Sequence, residues 1–88
     1  MKINSSFLLK NIAGNNVVVP VGDAGKKLNG MITLKNDSSV YLWKCFEEET
    51  TEEEVVDKVI KEFGIEKDVA MGYVENFVTK LSSYGVFD

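Results

Sequence analysis

G-M-I-T-L-K-N-D-S-S-V-Y-L-W-K-C-F, residues Gly30 to Phe46, joins two halves of unlike pattern. Its first part, Met31 to Leu34, is a short apolar run of strand type. Lys35-Asn36-Asp37-Ser38 then makes a polar turn. Asp37 or Ser38 is the expected N-cap of a helix, because a short side-chain oxygen accepts from the first free N–H groups. In that helix Ser39, Leu42 and Phe46 share one face, flanked by Cys45 and by Trp43, the chain's one tryptophan. Segments before this stretch read as strands and segments after it as helices, which makes the chain α+β.

Upstream, Phe7-Leu8-Leu9-Lys10-Asn11-Ile12 is largely apolar and runs into Gly14-Asn15-Asn16. These residues tolerate positive φ and suit a hairpin turn. Val17-Val18-Val19-Pro20-Val21 is the second strand, in which Pro20, lacking an N–H, belongs at an edge or where the ladder is interrupted. Gly22 to Gly30 reads as a plain connection, since its glycines match neither phosphate-loop spacing. Downstream, Thr51-Glu52-Glu53-Glu54 is a capping box whose carboxylates also face the positive end of the helix dipole. Val55, Val56, Val59, Ile60 and Phe63 form the apolar stripe of that helix, and Gly64 supplies a left-handed stop. The third helix begins between Glu66 and Asp68 and turns Ala70, Val74, Phe77, Val78 and Leu81 inward. It ends at Gly85, after which Val86-Phe87 folds back as a hydrophobic latch. Gly72 inside this helix costs about 1 kcal/mol relative to alanine, so a close approach to another element is expected there. The expected order is βββααα, three short antiparallel strands followed by three helices, as one domain over residues 1–88.

A chain of 88 residues with 44% hydrophobic and 27% charged residues has the balance of a globular protein rather than a disordered one. No apolar run approaches the ~20 residues that span a bilayer, and no basic-then-apolar start suggests secretion. The single Cys45 fits a reducing cytoplasm. There is no histidine, which removes the commonest general base and metal ligand together. Glu47 to Glu49 and Glu52 to Glu54 are the densest carboxylates, but consecutive ones diverge around a helix and no calcium-loop spacing accompanies them. They read as a solvated helix start. Cys45 has no histidine partner and reads as a buried, inert thiol, while Ser38 and Ser39 have no base and read as caps. No catalytic residue, metal ligand or cofactor is expected. The same elements would also build a winged helix-turn-helix domain. Its reading helix would expose Glu75, Asn76, Thr79 and Lys80. With a net charge of −4 and no arginine in the chain, nucleic-acid binding is disfavoured.

That leaves protein or peptide binding, on which a resemblance bears. Asn36 to Trp43, N-D-S-S-V-Y-L-W, resembles the Asn-Glu-Thr-x-x-x-Ile-Trp signature of PqqD-like proteins, named after pyrroloquinoline quinone biosynthesis protein D. F-L-L-K-N-I-A-G (Phe7 to Gly14), V-V-V-P-V-G (Val17 to Gly22) and N-G-M-I-T-L (Asn29 to Leu34) match the strand blocks. T-T-E-E-E-V-V (Thr50 to Val56) matches the second helix, and V-x-x-F-V-x-x-L from Val74, with the closing Gly85-Val86-Phe87, matches the third. The blocks fall in order over nearly the whole chain. Tyr73 stands where many members carry Asp, and Lys10 where Arg is frequent. The interval from Gly30 to Trp43 is slightly longer than is common in the family. That bears on register, because a one-residue slip turns each strand side chain to the opposite face.

The resemblance implies a winged-helix-like fold that acts in the cytoplasm as a non-catalytic peptide-recognition element, without a cofactor of its own. Such a domain captures the leader of a ribosomally made precursor peptide and presents it to a modifying enzyme, often a radical S-adenosylmethionine maturase. The implied mode is strand addition: an extended leader pairs with the free edge of the third strand and sends alternate side chains into the groove beside the third helix. The peptide-binding residues so implied are Gly30, Met31, Ile32, Thr33 and Leu34 on the strand, with Val69, Tyr73, Asn76 and Lys80 on the helix flank. Tyr73 would be an apolar wall and Lys80 a partner for an acidic leader. Met31, Ile32 and Leu34 would be apolar in any strand, and two of them are expected to fill the core. Two other readings stand beside this one: a winged-helix nucleic-acid binder, and a subunit of this fold in an assembly with no modified peptide.

Overall fold

The computed structural model describes residues 1–21 and 32–88. Three strands, β1 (Phe7–Ile12), β2 (Asn15–Pro20) and β3 (Ile32–Leu34), precede three helices, α1 (Asp37–Phe46), α2 (Glu52–Phe63) and α3 (Lys67–Ser82). The sheet is antiparallel in the order β1-β2-β3. The connection expected over Gly22 to Gly30, and Met31, lie outside the described residues.

Ile12 pairs with Asn15, so the hairpin loop is Ala13-Gly14 alone, both at positive φ (53° and 82°). Asn15 and Asn16, expected in the turn, belong to β2 instead. A two-residue loop with two left-handed positions matches the twist of the flanking strands. It also sets Leu9 opposite Val18 and Val18 opposite Ile32 on the core face. Pro20 closes β2, and the next amide, Val21 N–H, donates to the Ser6 carbonyl at 2.8 Å.

Helix α1 starts one residue earlier than expected: Asn36, in extended conformation, is its N-cap. The Asn36 side chain caps no backbone group; its Oδ1 accepts from the Ser39 hydroxyl at 2.7 Å. Trp43 is fully buried with Leu42 and Phe46 rather than on a flank. The reason is that α1 meets β3, α2 and α3, so its buried arc is wider than one stripe. Trp43 Nε1 finds no acceptor among the described residues. Leaving a buried donor unpaired costs about 1–3 kcal/mol, which the packed ring must offset.

Thr51 caps α2 as expected, accepting the Glu54 N–H at 3.2 Å. The reciprocal half of the capping box is diverted, because the Glu54 carboxylate accepts from the Thr50 hydroxyl. Gly64 closes α2 at φ 61°. Val55, Val56 and Val59 are buried, whereas Phe63 stays partly exposed and meets Tyr41 edge-on. On α3, Ala70, Val74, Phe77 and Leu81 are buried as the spacing required. Val86 and Phe87 do fold back: Asn4 N–H donates to the Val86 carbonyl at 2.7 Å, and Phe87 stands edge-on to Phe46. The core runs from Phe7, Val18, Ile32 and Leu34 on the sheet to these helical stripes.

Candidate functional site

Two features converge beside β3. One side of this strand pairs with β2, and among the described residues no backbone group bonds to its other side, which leaves that side as an unpaired sheet edge within the described structure. An unpaired edge presents N–H and C=O groups that an extended chain can match. Against this edge, β3 and α3 enclose a groove of about 240 Å³.

Its floor is apolar and buried: Ile32 and Leu34 from β3, Leu42 from α1, Phe77 and Leu81 from α3. The helix-side wall is exposed and mixed, with Tyr73, Asn76 and Lys80 at successive turns. Tyr73 keeps 44% of its surface in solvent. The start of α1 adds Asn36, Ser38 and Ser39. Lys80 is the only charged residue among these lining residues.

Of the residues that the sequence pointed to, Ile32, Leu34, Tyr73, Asn76 and Lys80 come together here. Ile32 and Leu34 both turn inward while Thr33 is exposed opposite Val17, so Thr33 offers the groove only its backbone. Val69 is exposed on the same flank but lies outside the groove lining. Gly30 and Met31 lie outside the described residues. The groove is also lined by Leu42, Phe77 and Leu81, core positions by their spacing, and by Asn36, Ser38 and Ser39, turn and cap positions by their residue type. One signal was available. Ser39 interrupts the apolar face of α1, which marks where packing ends and an opening begins.

The reactive groups elsewhere are arranged differently. Glu47 to Glu49 and Glu52 to Glu54 are all exposed, and the described residues hold no group of three or more His, Cys, Asp or Glu placed to bind a metal ion. Burial pushes the Cys45 thiol above its ordinary range, with Tyr41 acting in the opposite direction. A raised thiol holds less thiolate at neutral pH and is a poorer nucleophile. Among the described residues no helix is long and apolar enough to cross a membrane.

Comparison with known proteins bears on the fold and the family. The sequence model of the family described as Coenzyme PQQ synthesis protein D (PqqD) matches residues 15–86. Among curated proteins no match is found. The solved structure of TbiB1 in complex with the TbiA(beta) leader peptide is similar over 100% of this chain and 95% of that chain, with a TM-score of 0.78 and 19% sequence identity. At that identity the likeness speaks for a shared fold.

Proposed function

This chain belongs to the PqqD family, and we propose that it works there as a non-catalytic peptide-binding module. The leader of a ribosomally made precursor adds as a strand to the free edge of β3. Its alternate side chains enter the β3/α3 groove, and the loaded module is presented to a modifying enzyme such as a radical S-adenosylmethionine maturase. The 88 residues act as one domain in the cytoplasm, with no cofactor. The observation that carries this reading is the juxtaposition of a strand edge that has no backbone partner among the described residues and an apolar-floored groove at its side. The shared fold with TbiB1, a protein seen with a leader peptide, supports it.

Magnitudes assign the work within the groove. A few backbone hydrogen bonds at about 0.5–1.5 kcal/mol each fall short of the roughly 4–15 kcal/mol lost on association. Apolar leader side chains seated over Leu42 and Phe77 must therefore supply the affinity, at about 1.5–3 kcal/mol for each one fully buried. The edge fixes direction and register. Lys80 favours a carboxylate in the leader.

The test is a titration of the isotope-labelled protein with the leaders of candidate precursors encoded nearby. Amide shifts are expected along Ile32 to Leu34 and at Tyr73, Asn76 and Lys80. No shift with any of these peptides would sink the reading.

A further inference from the structure

The opposite flank of α3 carries a groove of contrary chemistry. Between α2 and α3 lies a depression of about 440 Å³. Val56 and Val74 form its buried floor, and Met71 lines it while remaining 42% exposed. Around this apolar surface stand Glu52, Glu53 and Asp57 from α2 and Glu75 from α3, against Lys67 alone. Among the described residues none of these charges is ion-paired; the salt bridge found there, Met1 to Glu49, involves none of them. Uncompensated carboxylates repel one another and attract cations, and a thioether adapts to varied contacts.

Both walls are helices, whose backbone groups beyond the first turn are bonded within the helix, so no strand edge is offered here and recognition falls mainly to side chains. A groove between two helices takes an amphipathic helix by its apolar stripe. Glu53 and Asp57 are four residues apart on one edge of α2, which matches basic side chains spaced i, i+4 on such a helix.

We propose that the α2/α3 groove docks a lysine- or arginine-rich amphipathic helix of the modifying enzyme. The identity of this partner rests on the function proposed above; the cationic, amphipathic character of the occupant rests on the groove alone. Because the two grooves lie on opposite flanks of α3, leader and enzyme bind at the same time and meet across one helix.

The test uses the full chain and a synthetic lysine–leucine amphipathic helix as the probe, read by amide shifts and fluorescence anisotropy. Shifts are expected at Asp57, Met71, Val74 and Glu75, with Ile32 to Leu34 unmoved. Asp57→Lys combined with Glu75→Lys should weaken the probe about tenfold, because each reversal exchanges an attraction for a repulsion at an exposed site. Glu47→Lys combined with Glu48→Lys, outside the groove, should leave its affinity unchanged. Equal weakening by both pairs would reveal diffuse attraction to an acidic protein and overturn the site, as would indifference to the first pair. A candidate modifying enzyme that binds the wild-type protein is then tested with the same Asp57/Glu75 variant. Its complex should weaken while leader affinity holds; an unaffected complex overturns the proposed occupant. Failure of the wild-type protein to bind any leader is a separate result, and it overturns the peptide-binding reading without touching this groove.

Discussion

The two flanks of α3 differ in what their opposite walls can offer. On one side the wall is β3, a strand whose outer edge has no backbone partner among the described residues. On the other it is α2, whose N–H and C=O groups are mostly used within the helix. A strand edge can pair with any extended chain, so under the proposed strand addition the selectivity of the first groove has to come from the apolar floor and Lys80. The second has only side chains, and its selectivity has to come from charge and shape. One helix serves both because its buried stripe leaves two separate flanks. Tyr73, Asn76 and Lys80 occupy one, and Lys67, Met71 and Glu75 the other.

The largest break is expected where the two sides share a support. Phe77 stacks on Phe46, centroids 5.9 Å apart, and also floors the β3/α3 groove. Phe77→Ala should cost about 3–5 kcal/mol, read as a lowered urea midpoint, and should weaken both the leader and the basic probe. Loss of leader binding at unchanged stability would instead make Phe77 a groove residue with no part in the frame.

A smaller perturbation separates the flanks. N-methylating alternate amides of the leader should cost about 0.5–1.5 kcal/mol for each hydrogen bond removed, measured by calorimetry. If the methylated leader binds equally well, side chains alone hold it, and the two grooves recognise their partners in the same way. Smaller again is Lys80→Glu, expected to cost an acidic leader roughly 0.5–1 kcal/mol at low salt. That loss should fade as salt rises, because exposed charges are screened. The basic probe should be indifferent to Lys80→Glu throughout.

Much of this arrangement could be read from residue order. The stripes of α2 and α3, the Thr51 cap, the Gly64 stop and the Val86-Phe87 latch are local patterns, and local geometry enforces them. Two of Met31, Ile32 and Leu34 were expected in the core, but which two depended on register; Ile32 and Leu34 are the buried ones among the described residues. What could not be read depended on the rest of the molecule. Nothing about alanine announces a φ of 53° at Ala13; the pairing of β1 with β2 imposes it. Trp43 sat on a flank by helical angle, but three neighbouring elements enclose α1 and bury it. Val69 shares the flank of Tyr73 by the same angle, yet the groove does not extend to it. Glu52 and Glu53 explained themselves as an acidic first turn. Only the packing of α2 on α3 shows that Glu75 joins them around one depression.

Gly72 gives the smallest expected effect and the sharpest check that the flanks are independent. A close approach to another element was expected there, but a Cβ at this position would meet nothing within 4 Å, and its φ is not left-handed. At about 100° per residue, Gly72 and Thr79 share the back of α3, opposite the buried Ala70 and Val74 and between the two flanks. Alanine should therefore fit without displacing a neighbour. Gly72→Ala should stabilise the fold by up to about 1 kcal/mol, seen as a raised urea midpoint, by removing backbone freedom from the unfolded chain. Affinity at both grooves should stay where it was. A fall in affinity at either groove, alongside the gain in stability, would mean that α3 bends at this glycine to admit its ligand. The two grooves would then be coupled through the helix that separates them, and occupation of one would alter the other.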